Sequence, residues 1–198
     1  MIALKKGVIF ILTVSVCMFI LTGCGGKKVN TKSPEAVVRS LIRSYQEQNI
    51  QDVKTCYGLS ENEEVQEELQ KEIDYNLRLF KAYKAKSIDF KKSDSLGKSG
   101  DSQLVYVWFD YKPEDGEKNL KCPRLSFYFV KKDGQRYFVV PAKDVTGEMS
   151  QYSRAAYKKF MGTGTYRKYQ KDFENFQKEN PSYEEELDKR FNQQNMIS

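Results

Sequence analysis

Apolar residues follow three different spacings along this chain, and each spacing predicts a different kind of segment. Residues 7 to 21 form an uninterrupted uncharged run. Between residues 37 and 80 the apolar positions recur every three or four residues, which is typical of helices with one buried face. Between residues 88 and 140 they alternate with polar positions or form short aromatic and β-branched runs, as strands do, and after residue 147 the helical spacing returns.

The first helical stretch divides into three predicted helices. Ser33 is a capping residue at the start of the first helix, and Gly58 ends the short second helix. Ser60 and Glu63 have the spacing of a capping box, in which each side chain bonds the backbone N–H of the other residue. We therefore expect the third and longest helix to begin at this box and to run to about residue 84.

The alternating stretch predicts an antiparallel meander of about four strands. Asp133-Gly134 is a strong short hairpin signal, and residues 97 to 101 are rich in turn formers. The strands are expected at residues 88–90, 103–111, 124–131 and 136–140. Strands that follow helices in this order favour an α+β fold, with the N-terminal helices packed on one face of the sheet and a helical extension after it.

The uncharged N-terminal run has the layout of a secretory signal. Lys5 and Lys6 precede it, and the small residues Thr22 and Gly23 follow it. The run is shorter than the roughly 20 residues that span a bilayer. The four residues LTGC, which end at Cys24, resemble the lipobox of bacterial lipoproteins at all four positions.

This resemblance implies that Cys24 carries a diacylglyceryl group and becomes the first residue of the mature chain. Residues 1–23 would leave as a signal peptide, and residues 24–32 would form a lipidated flexible tether. Two or more acyl chains hold a protein stably at a membrane, whereas one does so only marginally. The expected location is therefore the extracytoplasmic face of the cell membrane. An uncleaved membrane anchor is the alternative interpretation.

Composition limits the chemistry that the mature chain can carry. Without its first 23 residues it has 31 basic and 27 acidic residues, a net charge of +4, and no dense basic block. Nucleic-acid binding is therefore not expected. The chain contains no histidine, which excludes Ser-His-Asp and Cys-His catalysis and every zinc site that needs imidazole. We expect no metal and no cofactor.

Two cysteines remain after the signal cysteine Cys17 and the lipidated Cys24 are set aside. Cys56 and Cys122 would lie outside the reducing cytosol, where a disulfide between them is favoured by the compartment. Two buried free thiols are the alternative, because cysteine is also a small core residue.

The order of elements is similar to that of the nuclear transport factor 2-like superfamily over residues 33–146. The segment SPEAVVRSLIRSYQEQNIQDVKTCYG is similar to the first helix pair of lipoproteins with such domains, and FYFVKKDGQRYFVV is similar to their closing strands. The resemblance implies a curved sheet with a pocket between its concave face and the long helix. The chain departs from the pattern by lacking a strand between the early helices and by adding a helical extension at residues 147–198.

Polar and aromatic side chains on the second strand are the candidate lining of such a pocket. Tyr106, Trp108 and Asp110 share one face of the strand because they are two residues apart. Tyr128 on the third strand is a candidate neighbour. In a catalytic interpretation Asp110 is a general base and a tyrosine donates to a developing oxyanion. In the simpler interpretation Asp110 faces water and the aromatic rings fill the core.

We expect a non-catalytic binding module for a small ligand or an envelope protein. One alternative is a small extracytoplasmic enzyme with a carboxylate and tyrosine pocket. Another is a structural component of an envelope assembly, docked through the tail at residues 147–198. The narrow aromatic stripes of the tail favour packing on its own domain. The superfamily resemblance also allows a homodimer formed through the sheet.

Overall fold

The computed structural model describes residues 29–113 and 121–194. The fold is α+β, as the spacing of apolar residues predicts, with helices on both sides of the sheet in sequence. The helices are α1 (Pro34–Gln46), α2 (Ile50–Cys56), α3 (Glu67–Tyr83), α4 (Gly147–Met161), α5 (Gly164–Glu179) and α6 (Tyr183–Gln193). The strands are β1 (Ala85–Ser99), β2 (Ser102–Pro113), β3 (Cys122–Asp133) and β4 (Arg136–Val139), which form one curved antiparallel sheet in the order β1-β2-β3-β4.

Helix α1 has both a capping residue at its start and an apolar stripe along the face that packs on the sheet. The Ser33 hydroxyl accepts a hydrogen bond from the backbone N–H of Ala36 at 3.1 Å, and Pro34 occupies the first helical turn. The apolar side chains that face the sheet are fully buried. They are Val37, Val38, Leu41, Ile42 and Tyr45.

The sheet lies between two layers of helices. On β2, Val105, Val107 and Phe109 face the main core, which α1 and α3 complete. The alternate residues of β2 face the other side, where the Tyr106 ring packs against Phe160 of α4 with ring centroids 4.5 Å apart. Because each layer covers one face, β2 is buried along nearly its whole length.

The third helix begins six residues later than the capping-box spacing predicts, with Gln66 and not Ser60 at its N-cap position. Ser60 and Glu63 do form the expected side-chain contact, with the Ser60 N–H donating to Glu63 Oε2 at 3.1 Å. The carbonyl oxygens of Glu61 and Glu63, however, accept hydrogen bonds from the buried Lys54 ammonium at 2.8 and 2.6 Å. A helix starting at Ser60 would need those carbonyls for its own N–H groups, so the box closes an isolated turn instead.

Strand β1 is much longer than the three residues expected from its apolar pattern. Its sequence is polar because β1 is an edge strand whose side chains are almost all exposed or half-buried. The turn that follows it consists of only two residues, Gly100 and Asp101, where the sequence predicts residues 97–101. The pairing of β1 with β2 shifts register at three places, one of them between Phe90 and Lys92. Lys91 is the extra residue of this bulge, and bulges re-aim side chains near the edge of a sheet.

The end of the predicted tether is part of the folded domain. The Tyr137 N–H donates to the Thr31 carbonyl at 2.9 Å, and the Asn30 N–H donates to Ser40 Oγ at 3.0 Å. Residues 29–32 are therefore fixed against β4 and α1. The predicted signal peptide, Cys24 and the first part of the tether lie outside the described residues. No helix within the described ranges is long and apolar enough to cross a membrane.

Candidate functional site

A cleft of about 410 Å³ opens between α5 and the end of β2. Its floor is apolar and its walls carry charges of both signs. The lining residues are Lys91, Trp108, Asp110, Lys121, Pro123, Lys168, Asp172, Asn175, Phe176 and Glu179. Strands β1, β2 and β3 supply one wall, and α5 supplies the other, so the cleft exists only because the C-terminal helices fold back on the sheet.

Trp108 is the aromatic floor of the cleft. The residue is 5% exposed and packs edge-on against Tyr169 of α5, with ring centroids 6.1 Å apart. The Lys168 ammonium lies 5.6 Å from the indole centroid, a cation–π distance. The indole N–H is buried and has no hydrogen-bond partner among the described residues. Lys168 also pairs with Asp172 at 2.9 Å.

Asp110 forms the second charged group of the cleft and is held by a lysine from the β1 bulge. The Lys91 ammonium lies 3.2 Å from Asp110 Oδ2 and 2.6 Å from Asp89 Oδ2. The hydrogen bond between Lys91 and Asp89 raises the pKa of the lysine and lowers the pKa of the Asp89 carboxyl. The ammonium therefore stays charged between two carboxylates, and Asp110 is part of an ion pair.

The structure brings together two of the four residues proposed for the pocket. Trp108 and Asp110 both line the cleft. Tyr106 lies on the same face of β2 but beneath α4, where Phe160 covers its ring. Tyr128 lies on the opposite face, because the β2–β3 register pairs it with Val105 and pairs Tyr106 with Phe127. The assignment of Tyr128 as a neighbour of this face is therefore wrong.

The space between the long helix and the concave sheet face, where the superfamily resemblance implies a pocket, is filled by side chains. Tyr45, Ile73 and Phe109 are almost fully buried there. Tyr57 donates a hydrogen bond to Glu72 Oε1 at 2.8 Å, and its hydroxyl lies 3.0 Å from that of Tyr45. Burial raises the pKa of both tyrosines. The open cleft thus lies on the other side of the sheet.

Both remaining cysteines are buried free thiols, and the candidate disulfide is not formed. Cys56 lies near Ser44 and Asp52, and burial raises its pKa to about 12. Cys122 lies near Tyr111 and Tyr183, and burial raises its pKa as well. The two thiols therefore have different surroundings within the main core, which matches the alternative interpretation of the sequence.

The sequence did not predict the lysines of the cleft, Lys91, Lys121 and Lys168. Lys91 reaches Asp110 through a bulge, and Lys168 comes from a helix some sixty residues away in sequence from Trp108. No spacing rule connects these positions. The described residues contain no cluster of three or more cysteine or acidic side chains placed to hold a metal ion.

Comparisons of the chain with family models, with curated proteins and with solved structures found no match. The resemblances to bacterial lipoproteins and to the nuclear transport factor 2-like superfamily therefore stay predictions from the residues.

Proposed function

We propose that this chain is a lipid-anchored extracytoplasmic lipoprotein whose folded domain is a non-catalytic binding module for a small ligand with charges of both signs. One observation carries the proposal: the cleft above Trp108 is lined by three lysines and three carboxylates, and one of the lysines, Lys168, lies over the indole ring. The lipoprotein part rests on the LTGC motif that ends at Cys24.

The size and charge of the cleft favour a small zwitterionic molecule. Its volume of about 410 Å³ falls in the range of small-molecule sites, roughly 300–1,000 Å³. The carboxylate of such a ligand would pair with Lys168 or Lys121, and its ammonium group would pair with Asp110. An aromatic floor adds a cation–π contact to a bound ammonium group. The ion pairs Lys91–Asp110 and Lys168–Asp172 hold these charged side chains around the cleft, and Lys168 stays accessible to solvent and to a ligand.

The same geometry favours binding over catalysis. A carboxylate–tyrosine acid–base pair needs both groups within hydrogen-bond reach of one substrate. Tyr106 is covered by Phe160, and Tyr128 faces the other side of the sheet. Asp110 is engaged by Lys91 at 3.2 Å. The cleft can therefore orient a charged ligand through Asp110, but it does not present Asp110 and a candidate tyrosine together.

Intrinsic fluorescence tests the proposal directly, because Trp108 is the chain's one tryptophan. Its emission reports on the cleft alone. The probes are a panel of free amino acids, short peptides and small phosphorylated compounds. We expect a saturable change in emission with at least one zwitterionic probe, and little response to probes with a single charge.

Two substitutions and a control locate the binding. Lys168→Gln and Asp110→Asn should each weaken binding by about ten-fold, which corresponds to about 1.4 kcal/mol. Lys178→Gln, on the exposed side of α5, is the matched control and should leave binding unchanged. A panel without any saturable response, together with stable association of an envelope protein, would contradict the small-ligand proposal and favour the protein-binding alternative.

A further inference from the structure

The described chain enters the domain at one end of the sheet, beside the β3–β4 hairpin. Thr31 is nearly buried, and its carbonyl accepts a hydrogen bond from the N–H of Tyr137 at 2.9 Å. Its hydroxyl accepts a longer hydrogen bond from Arg136 Nε at 3.4 Å. The chain that leads from Cys24 therefore reaches the domain at the edge strand β4, next to the hairpin turn.

The segment between Cys24 and this point is short. Val29, which packs on the main core, is the fifth residue after Cys24. A fully extended chain spans at most about 3.6 Å per residue, so the two residues lie within roughly 18 Å of each other. If the acyl chains of Cys24 sit in a bilayer, the hairpin end of the domain has to stay close to the headgroups.

This end of the domain carries a cluster of exposed basic side chains, which we call the hairpin patch. It consists of Lys32, Lys131, Lys132 and Arg136, all exposed to solvent. The acidic residues close to it in sequence or across the sheet are Asp133 at the turn, Glu35 at the start of α1, which accepts a hydrogen bond from Ser33 at 3.0 Å, and the exposed Asp101, which precedes Ser102, the pairing partner of Lys131. The cluster is therefore net positive, which suits the surface of an anionic bilayer.

The cleft lies at the opposite end of the sheet. Pro123 lines the cleft, and Lys132 pairs with Tyr137 beside the entry point of the chain. These two residues lie nine positions apart on β3, and a strand rises about 3.3 Å per residue, so about 30 Å separates the two levels. Anchoring at the hairpin end would thus leave the cleft facing away from the membrane.

We propose that the hairpin patch rests on anionic lipid headgroups and that the domain stands with its cleft about 30 Å farther from the bilayer. The inference depends on the proposed lipid anchor at Cys24. The short tether fixes which end approaches the membrane, and the basic side chains make that contact favourable on an anionic surface. The cleft is then presented to ligands that diffuse in the space outside the membrane.

Amine footprinting of the full lipidated protein tests this orientation. The protein is extracted from its host membrane and studied in detergent, in phosphatidylcholine vesicles, and in vesicles with about one-third phosphatidylglycerol. A water-soluble acylating reagent labels exposed lysines, and mass spectrometry measures each rate. On anionic vesicles we expect Lys32, Lys131 and Lys132 to react about five-fold more slowly than in detergent. Lys171 and Lys178, exposed on α5 near the cleft, should react at unchanged rates.

A charge-neutral variant distinguishes recognition of the headgroups from mere proximity. In K131Q/K132Q/R136Q, the remaining patch residue Lys32 should lose its slower labelling on anionic vesicles. The matched variant K158Q/K171Q/K178Q removes three exposed cations elsewhere and should leave the protection of Lys131 and Lys132 intact. Equal protection on phosphatidylcholine vesicles would overturn the role of charge, and equal labelling in vesicles and detergent would overturn the contact itself.

Flotation of the protein with the vesicles distinguishes an incorrect orientation from an incorrect lipid-anchor proposal. Protein that does not float with the vesicles, and whose mature N-terminus carries no lipid mass, would overturn the lipid-anchor proposal and the orientation with it. Protein that floats and carries the lipid, but labels equally at Lys131 and Lys178 in every sample, would overturn the orientation alone.

Discussion

Tyr111 of β2 and Tyr183 of α6 meet through their hydroxyl groups, with their oxygen atoms 2.6 Å apart across 72 positions of sequence. Both rings are buried. Beside them Arg124 lies 5.5 Å from the centroid of the Tyr111 ring and pairs with Glu184 at 2.9 Å. The last helix is therefore joined to the sheet by a buried polar contact and an ion pair, so that the tail is a structural part of the domain.

The hydroxyl pair gives a prediction for two conservative substitutions. Tyr183→Phe and Tyr111→Phe should each lower the free energy of unfolding by about 1–2 kcal/mol, because each leaves the other buried hydroxyl with a lost partner. The double variant should cost less than the sum of the two, since no hydroxyl is then left unpaired. Urea denaturation measures all three, with Tyr157→Phe at an exposed ring as the control. Strict additivity would mean that the two hydroxyls do not interact.

Removal of the tail at residues 147–198 should abolish the stable fold. Phe176, Tyr183 and Leu187 belong to the main core, and burial of such side chains stabilises a protein by about 1.5–3 kcal/mol each. Their sum is comparable with the total stability of a small domain, about 5–15 kcal/mol. Circular dichroism and binding of a hydrophobic dye should report a loosened, aggregating chain. A monomeric truncated domain with a sharp melting transition would instead revive the tail as a docking segment for another protein.

The sequence predicts those parts of the fold in which short-range signals, such as caps and turn residues, favour the same structure as the packing of the whole domain. Helix α1 has a capping serine, a proline at its start and a continuous apolar stripe, and its start follows from these residues. The hairpin that Asp133-Gly134 predicts also forms, but its two turn residues are Gly134, at a φ of +55°, and Gln135, because Asp133 still pairs with Arg136. The start of α3 is different, because the distant ammonium group of Lys54 takes the carbonyls that an earlier start would use.

The candidate site was only half predictable for the same reason. Alternation along β2 placed Trp108 and Asp110 on one face, and both line the cleft. Which residue of β3 lies beside Tyr106 depends on the register set across the connection between the strands, and that register puts Phe127 there. The opposite wall comes from α5, whose docking on the sheet is a tertiary event without a local sequence signal.

Gly97 gives a prediction about how α4 is held on the sheet. Its φ is +111°, and a Cβ atom at this position would collide with the hydroxyl of Tyr152, which donates to the Leu96 carbonyl at 3.0 Å. Gly97→Ala should therefore destabilise the domain by about 1–3 kcal/mol through strain and through the displaced tyrosine.

A second variant separates the two causes. Tyr152→Phe removes the colliding oxygen, so Gly97→Ala should cost less in the Tyr152→Phe background than in the native chain, with only the backbone strain remaining. Gly100→Ala, at a φ of +61° with open space around it, is the control for strain alone. Thermal melting of the five proteins checks this, and equal costs for Gly97→Ala in both backgrounds would contradict the collision.

Membrane attachment of the chain should depend on Cys24. Cys24→Ala removes the thiol that a lipobox presents for acylation, so the variant should lose the lipid mass and retain the uncleaved signal segment. Replacement of Cys56 by alanine removes a buried free thiol and should leave membrane fractionation unchanged. Intact mass measurement and partition into a nonionic detergent phase distinguish these results. Lipid-modified protein with a Cys24→Ala substitution would contradict the lipoprotein assignment.

Alkaline pH should destabilise this domain because its buried cysteine and tyrosine side chains have to lose protons when the chain unfolds. Burial raises the pKa of Cys56 to about 12 and also raises the pKa of Tyr45, Tyr57 and Tyr111. The folded state therefore keeps protons that the unfolded chain releases above about pH 9–10. The contribution of these groups to the free energy of unfolding is fully present below that range and is lost as pH rises. For Cys56 alone the loss is about 1.4 kcal/mol per pH unit above about pH 9. Urea titrations from pH 7 to 11 should give a falling free energy of unfolding, less steep in Cys56→Ala, and a flat profile to pH 11 would contradict the burial of these groups.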